Sequence, residues 1–135
     1  MRVLIIDSDR CGLDFAMRAA NAGHEVRLFR WSQKPCRYAT GFAPLFTLVD
    51  DWKQHMGWAK DGLILLTGNG KYIHEMDRFR ECGYRNIFAP SVASAKLEIE
   101  RSAGMQLMQS IGAELPPPPP DAGAHAGAPA THVRT

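Results

Sequence analysis

Short apolar runs alternate with helical patterns along the first 112 residues. Residues 2–6 read RVLII, and their four consecutive aliphatic side chains are typical of a strand covered on both faces. A helical pattern follows over residues 13–22 and is closed by Gly23. Further strands are predicted at residues 25–29, 46–49, 63–66 and 86–88. This alternation predicts an α/β fold, a Rossmann-like doubly wound parallel sheet of about five strands.

The later helices are predicted from their caps and apolar spacing. Asp50 or Asp51 caps a helix after the third strand, and a second helix follows the fourth strand. The last helix is long, opens at Ser91 or Ser94 and is closed by Gly112. Its apolar positions include Leu97, Ala103, Leu107, Met108 and Ile111.

Composition changes abruptly near residue 113. Fourteen of the 23 residues from 113 to 135 are Pro, Ala or Gly, and five consecutive prolines occupy residues 116–120. Such a segment has too few sizeable apolar side chains to offset its ordering entropy. We therefore predict a folding unit over residues 1–112 and a disordered tail over residues 113–135, which begins as a polyproline-II stub.

Charge and apolar content exclude several classes of function. Sixteen Lys and Arg stand against fourteen Asp and Glu, and the net charge of +2 is too balanced and scattered for a dedicated nucleic-acid or membrane-surface binder. No apolar run approaches the roughly 20 residues that span a bilayer, and no signal-peptide cleavage site follows the first strand. We expect a cytoplasmic protein with neither nucleic acid nor membrane among its partners.

Cysteine and histidine placement gives no support to a metal site. The three cysteines (Cys11, Cys36 and Cys82) show no CxxC or finger spacing and are expected to be reduced thiols, and no two histidines lie three or four residues apart. Cys11 next to a helix could act as a nucleophile, but no histidine is placed to activate it, and a structural role is the better interpretation. An acid/base or Mg²⁺ cluster made of Asp7, Asp9 and Asp14 is a weaker alternative. Helix caps and solvated charges are the better interpretation of these residues.

Ligands of a doubly wound parallel sheet bind beyond the carboxyl ends of its strands. Four loops lie there in this chain, at residues 7–12, 30–44, 67–71 and 89–91. The first lacks the GxGxxG pattern, and Asp7 and Asp9 would repel a phosphate, so a dinucleotide site is not expected. Ser8, Arg10 and the helix N-terminus at Gly12 could hold a small anion. A helix cap with a surface salt bridge explains the same residues equally well.

The two middle loops carry cations, aromatic residues and glycines. The longer one contains Arg30, Trp31, Lys34, Arg37, Tyr38 and Phe42. These residues either contact a ligand or carry solvated charges. In the sequence Thr67-Gly68-Asn69-Gly70-Lys71 the glycines free backbone amides to approach a ligand, and Lys71 adds charge. A plain turn capped by Asn69 would use similar residues.

The fourth loop and the helix after it resemble a known junction. Residues 89–98 read APSVASAKLE, and this segment is similar to the strand, GPS turn and AAAxLEGSKAF helix of phosphoribosylamine–glycine ligases, which belong to the ATP-grasp superfamily. The opening VLII strand also resembles that family, as does LILLTGNG at residues 63–70, where the family has VVVGPE. The resemblance covers residues 1 to about 115 and is most specific at residues 86–104.

The chain departs from the family pattern at several positions. The family's GSGGREH loop is replaced by DSDRCGL at residues 7–13, which keeps only Ser8 in register. The GPE turn becomes Gly68-Asn69-Gly70, and the GPS turn becomes Ala89-Pro90-Ser91. In the LEGSK segment Leu97 and Glu98 match, whereas Arg101 replaces the lysine.

The resemblance implies a pre-ATP-grasp domain, the substrate-binding part of an ATP-dependent ligase that forms a carbon–nitrogen bond in purine biosynthesis. Together with the loops above, it predicts a substrate site made of Ser8, Arg10, Gly12, Thr67, Gly68, Asn69, Lys71, Pro90 and Ser91. Arg101 would contact a nucleotide phosphate.

The implied ligand is a small phosphorylated substrate similar to phosphoribosylamine. ATP and Mg²⁺ are implied only for the complete ligase, so no cofactor and no metal are expected in this chain. We expect it to be inactive alone, as the amino-terminal part of a divergent ligase that is either truncated or completed by a separate ATP-grasp polypeptide. The alternative is a freestanding, non-catalytic α/β module that binds a phosphorylated metabolite or a protein partner.

Overall fold

Five strands form one parallel sheet in the computed structural model, which describes residues 1–32, 37–42, 44–68 and 70–114. The strands are β1 (Arg2–Asp7), β2 (Glu25–Arg30), β3 (Thr47–Val49), β4 (Leu63–Leu66) and β5 (Ile87–Phe88). They lie in the order β3-β2-β1-β4-β5, and each neighbouring pair is parallel. The predicted α/β class, strand number and strand direction are confirmed. The predictions for Lys34, Cys36, Asn69 and residues 115–135 lie outside the described residues.

β1 is the centre of the core because its side chains alternate between two buried layers. Leu4 and Ile6 face one layer with Trp52, Met56 and Met76, whereas Val3 and Ile5 face the other layer with Ala16 and Leu28. Every residue from Val3 to Asp7 has no exposed surface. The continuous aliphatic run in the sequence therefore corresponds to a strand covered on both faces, as predicted.

The described residues form four α-helices: α1 (Leu13–Asn21), α2 (Ile73–Glu81), α3 (Val92–Ile99) and α4 (Arg101–Ser110), the last of which packs on α3. Gly23, Gly83 and Gly112 follow helices with positive φ angles of 81°, 90° and 74°, the backbone region that a helix C-terminus uses and glycine adopts without strain. None of the helices in the described part of the chain is long and apolar enough to cross a membrane.

The helix predicted after β3 is much shorter than expected. Asp51 caps it by accepting a 3.0 Å hydrogen bond from the Lys53 amide, but only a 3₁₀ helix, Trp52–His55, forms. Gly57, a poor helix former, follows two residues later. Turns continue the chain to β4.

The prediction of a single long C-terminal helix is wrong, because the helix is interrupted at Glu100. This residue adopts an extended conformation (φ −96°, ψ 95°) and separates α3 from α4. A Cβ atom on Gly104 would lie 2.6 Å from the Leu97 carbonyl oxygen, so α4 packs against the end of α3 closer than any side chain would permit. Periodicity missed the break because apolar residues continue across it.

Candidate functional site

A buried carboxylate organises the loops at the carboxyl end of the sheet. Asp7, the last residue of β1, has no exposed surface and accepts four hydrogen bonds. Its Oδ1 accepts from the Cys11 amide at 3.1 Å and from the Thr67 hydroxyl at 2.8 Å. Its Oδ2 accepts from the Gly12 amide at 3.0 Å and from the Tyr38 hydroxyl at 2.8 Å. We call Asp7 and these four partners the Asp7 cluster; it joins the loops that follow β1, β2 and β4.

The Asp7 cluster occupies the position at which a nucleotide-binding fold would hold a phosphate. Asp7 accepts hydrogen bonds from the amides of Cys11 and Gly12, and the Tyr38 hydroxyl accepts one from the Leu13 amide at 3.0 Å. Three consecutive amides at the start of α1 are therefore satisfied within the protein. These amides are therefore not free for an anion. Asp7 holds the two residues before α1, and the helix itself has no side-chain cap at Gly12.

Tyr38 is fixed from both ends. Its hydroxyl lies between Asp7 and the Leu13 amide, and its backbone carbonyl accepts a hydrogen bond from the Arg30 guanidinium. Burial, followed by the hydrogen bond to Asp7 and the charge of that carboxylate, raises the pKa of Tyr38 above its usual value. The phenol therefore stays protonated and remains a donor to Asp7 at neutral pH.

A cavity of about 440 Å³ lies beside this cluster, lined by Asp9, Leu66, Thr67, Gly68, Pro90 and Glu98. We call it the crevice. It lies where the chain order reverses, because β1 and β4 are neighbours while their chain continuations run to opposite edges of the sheet. Ligands of open parallel sheets bind at such a switch point. Its charged lining residues in the described chain, Asp9 and Glu98, are both carboxylates.

Ser8 contributes a buried hydroxyl beside the crevice. The residue is 8% exposed, and its Oγ atom has no hydrogen-bond partner among the described residues. A Cβ atom on Gly68 would collide with the Ser8 hydroxyl and the Asp9 carboxylate, so both oxygens abut the backbone of Gly68. An unsatisfied buried hydroxyl costs about 1–3 kcal/mol. The oxygen is closed to solvent, and Ser8 is not among the residues that line the crevice.

The loop that brings Pro90 to the crevice is held by an ion pair on α2. Asp77 and Arg80 lie 2.6 Å apart, and Arg80 donates to the carbonyls of Ala89 and Pro90 at 2.5 and 3.4 Å. Asp77 accepts a 2.8 Å hydrogen bond from the Val92 amide at the start of α3. This amide, and after it Arg80, lowers the pKa of Asp77 despite partial burial. The sequence shows the pair only as an acid and a base three residues apart, which is common on helices.

The predicted site residues fall into two groups. Thr67, Gly68 and Pro90 line the crevice, and the Ser8 hydroxyl packs against Gly68. Gly12 is a packing residue instead: a Cβ atom there would lie 3.0 Å from the Ile5 side chain and 3.1 Å from Asp7 and Thr67. Ser91 caps α3, since its Oγ accepts from the Ser94 amide at 3.0 Å in a capping box.

The predicted cations lie away from the lining. Arg10 is exposed with a positive φ of 61°, Arg101 is exposed at the first residue of α4, and neither lines the crevice. The Lys71 ammonium lies 3.4 Å from the centroid of the Trp31 ring, a cation–π contact between the loops after β4 and β2. Asn69 lies outside the described residues. No group of three or more His, Cys, Asp or Glu suited to a metal ion occurs within residues 1–32, 37–42, 44–68 and 70–114.

Sequence reasoning missed Glu98 as a lining residue, although the match to the ligase junction includes it. It also missed the link between Tyr38 and Asp7, which lie 31 residues apart with no local pattern to connect them.

No protein-family model matches the chain, and no curated protein sequence matches it significantly.

Proposed function

We propose that this chain is the substrate-binding, pre-ATP-grasp part of a cytoplasmic enzyme of the phosphoribosylamine–glycine ligase type, and that the crevice holds the substrate. One observation carries the proposal. Thr67, Gly68 and Pro90, three predicted positions from two loops that are far apart in sequence, line one cavity at the switch point of the sheet, and the Ser8 hydroxyl packs against Gly68. A volume of about 440 Å³ is in the range of small-molecule sites.

Each of these residues has a physical role in the proposal. Gly68 lets the Ser8 hydroxyl and the Asp9 carboxylate pack directly against its backbone, and Thr67 is oriented by its bond to Asp7. Pro90 is held in place by Arg80 through its own carbonyl and that of Ala89. Since the Asp7 cluster fixes two of the loops that line the crevice, those after β1 and β4, the crevice is pre-organised and little ordering entropy is lost on binding.

The chemistry of ligation would come from another polypeptide. In this proposal a separate ATP-grasp protein would bind ATP and Mg²⁺ and transfer the terminal phosphate of ATP to a carboxylate. The amine held by this chain would then attack the acyl phosphate and displace inorganic phosphate, which forms the carbon–nitrogen bond of a purine precursor. The predicted contacts to phosphate would come from Arg10 and Arg101, both exposed and outside the lining.

The decisive experiment is an NMR titration of the isotope-labelled chain with ribose 5-phosphate. We expect the amide signals of residues 8, 9, 67, 68 and 98 to shift. Gly68→Ala, which places a methyl group against Ser8 and Asp9, should abolish these shifts. Gly70→Ala is the matched control, because a Cβ atom there meets nothing within 4 Å and its φ is not positive. Equal binding by both variants, or shifts elsewhere only, would contradict the proposal.

A freestanding docking module is the second candidate. Its support is the C-terminal apolar face, which we define as Leu97, Leu107, Met108 and Ile111, all at least 40% exposed. Phe88 on the edge strand β5 is also 72% exposed. Neighbouring exposed apolar residues of this size are typical of protein interaction surfaces.

A further inference from the structure

The apolar stripe of α4 is only partly covered by the described part of the chain. Residues 104, 107, 108 and 111 follow the i, i+3, i+4, i+7 spacing of one helical face. The stripe begins in contact with α3, where Gly104 lies against the Leu97 carbonyl. Further along, Leu107, Met108 and Ile111 are exposed, and no residue of α4 is buried by the described residues. An apolar helical face of this kind normally packs against something.

The chain turns back over this stripe as it leaves α4. Gly112 has a positive φ of 74°, and its amide donates to the Gln109 carbonyl at 3.0 Å. The next amide, that of Ala113, donates to the Met108 carbonyl at 3.0 Å. These two bonds form a Schellman motif, in which the residue at the position of Ala113 commonly contacts the last turn of the helix. Residue 115 follows the half-buried Ala113 by two positions and therefore starts close to the exposed face.

The sequence that follows is suited to cover an apolar surface. Residues 115–120 read LPPPPP and form the longest apolar run between residues 115 and 135. Proline has no amide donor, so a proline run can lie on an apolar surface without leaving a buried donor unsatisfied. Its fixed φ also lowers the entropy that is lost when the run is ordered. Five prolines in a polyproline-II helix span about 15 Å, and the ten residues of α4 also span about 15 Å.

The covalent connection favours this segment over a second chain. A short link keeps a tethered segment near its target at an effective concentration of about millimolar. The link here is the pair of residues 113 and 114 after the helix stop at Gly112. A second copy would have to reach a similar concentration before it could compete for the face.

We propose that residues 115–120 fold back along α4 and cover the C-terminal apolar face, with the proline rings against Leu107, Met108 and Ile111. This inference goes beyond the proposed function and is independent of the crevice and its ligand. A second chain could reach the face only by displacing the segment. The proline run is then an intramolecular competitor for any partner of this face.

Nuclear Overhauser contacts in the intact, isotope-labelled chain test the proposal. We expect contacts between the methyl groups of Met108 and Ile111 and proline ring protons. A five-serine variant, with serine at each position from 116 to 120, should lose them. The matched control places serine at five positions beyond the run and should keep them: Ala122, Ala124, Ala126, Ala128 and Ala130. Circular dichroism confirms that both variants are folded.

Methionine oxidation gives a second readout. Met108 should react with hydrogen peroxide severalfold more slowly in the intact chain than in the five-serine variant, because the docked prolines would cover its sulfur. Met1, an exposed residue that precedes β1, should react at the same rate in both proteins. Mass spectrometry of the proteolytic peptides measures each rate.

Three results would overturn the proposal. Contacts that disappear on dilution would assign the face to a second copy of the chain. Contacts that persist in the five-serine variant would come from a proline outside the run. If the intact chain lacks the contacts, or if Met108 reacts equally fast in the intact chain and the five-serine variant, the segment does not cover the face.

Discussion

The Tyr38 hydroxyl donates a 2.8 Å hydrogen bond to the buried Asp7 carboxylate and accepts a 3.0 Å bond from the Leu13 amide. One phenol thus ties the loop after β2 to the end of β1 and the start of α1. Because the same carboxylate also holds Thr67, the position of the crevice depends on this contact. The cluster closes an anion site and at the same time shapes a neighbouring cavity.

Tyr38→Phe should destabilise the fold. The substitution leaves the Leu13 amide without its acceptor and removes one of the four donors to Asp7, which should lower the free energy of unfolding by about 1–3 kcal/mol. Urea unfolding followed by circular dichroism measures this. Tyr84→Phe is the control, because the Tyr84 ring packs on Phe79 and lies outside the Asp7 cluster. A loss no larger than that of the control would mean that the bond to Asp7 contributes little.

Gly104→Ala should also destabilise the protein, which is opposite to the effect of the same substitution in an ordinary helix. Alanine normally gains up to about 1 kcal/mol over glycine within a helix. Here the added Cβ atom would lie 2.6 Å from the Leu97 carbonyl oxygen, and overpacking of this kind costs about 1–3 kcal/mol. Thermal melting followed by helical circular dichroism reports the sign. Ser102→Ala, an exposed change in the same helix, should leave the melting temperature unchanged or raise it slightly. A rise for Gly104→Ala would show that α4 does not pack closely on α3.

Features that depend on neighbours in the sequence were predicted, whereas features that depend on contacts between distant residues were not. Local signals predicted the strands and the glycine stops correctly, because aliphatic runs and positive φ angles depend on near neighbours. The break at Glu100 escaped prediction because it is set by the approach of Gly104 to Leu97. Loop positions at the sheet edge led to Thr67, Gly68 and Pro90, since parallel topology brings strand ends together. The use of Asp7 as an internal anion could not be predicted, because its partners come from three separate loops.

The C-terminal apolar face gives a prediction about association. Leu107 and Met108 are 44% and 42% exposed, so the double variant Leu107→Glu/Met108→Glu should change the free energy of unfolding by no more than about 1 kcal/mol. If this face binds a partner or a second copy, the wild-type chain should associate and the variant should not. Analytical ultracentrifugation over a concentration series measures the mass of both. Gln106→Glu adds charge to the same helix and serves as the control. A monomeric wild-type chain that melts cooperatively would count against the C-terminal apolar face as an interface.

Acid should weaken the link between α2 and α3 through Asp77. Its folded-state pKa lies below its usual value, chiefly because the ionised carboxylate accepts from the Val92 amide and pairs with Arg80. Such a group stabilises the folded state above its unfolded pKa of about 3.9, and this stabilisation is lost as the pH falls through the lower folded value. Asp77→Asn should therefore be less stable than wild type at about pH 6, and the difference should shrink below about pH 4. Urea unfolding of both proteins across this range measures the difference. Asp14→Asn is the control, because it removes the carboxylate of an exposed ion pair with Arg18. A difference that stays constant down to about pH 3 would show that the ionised form of Asp77 is not what holds the two helices together.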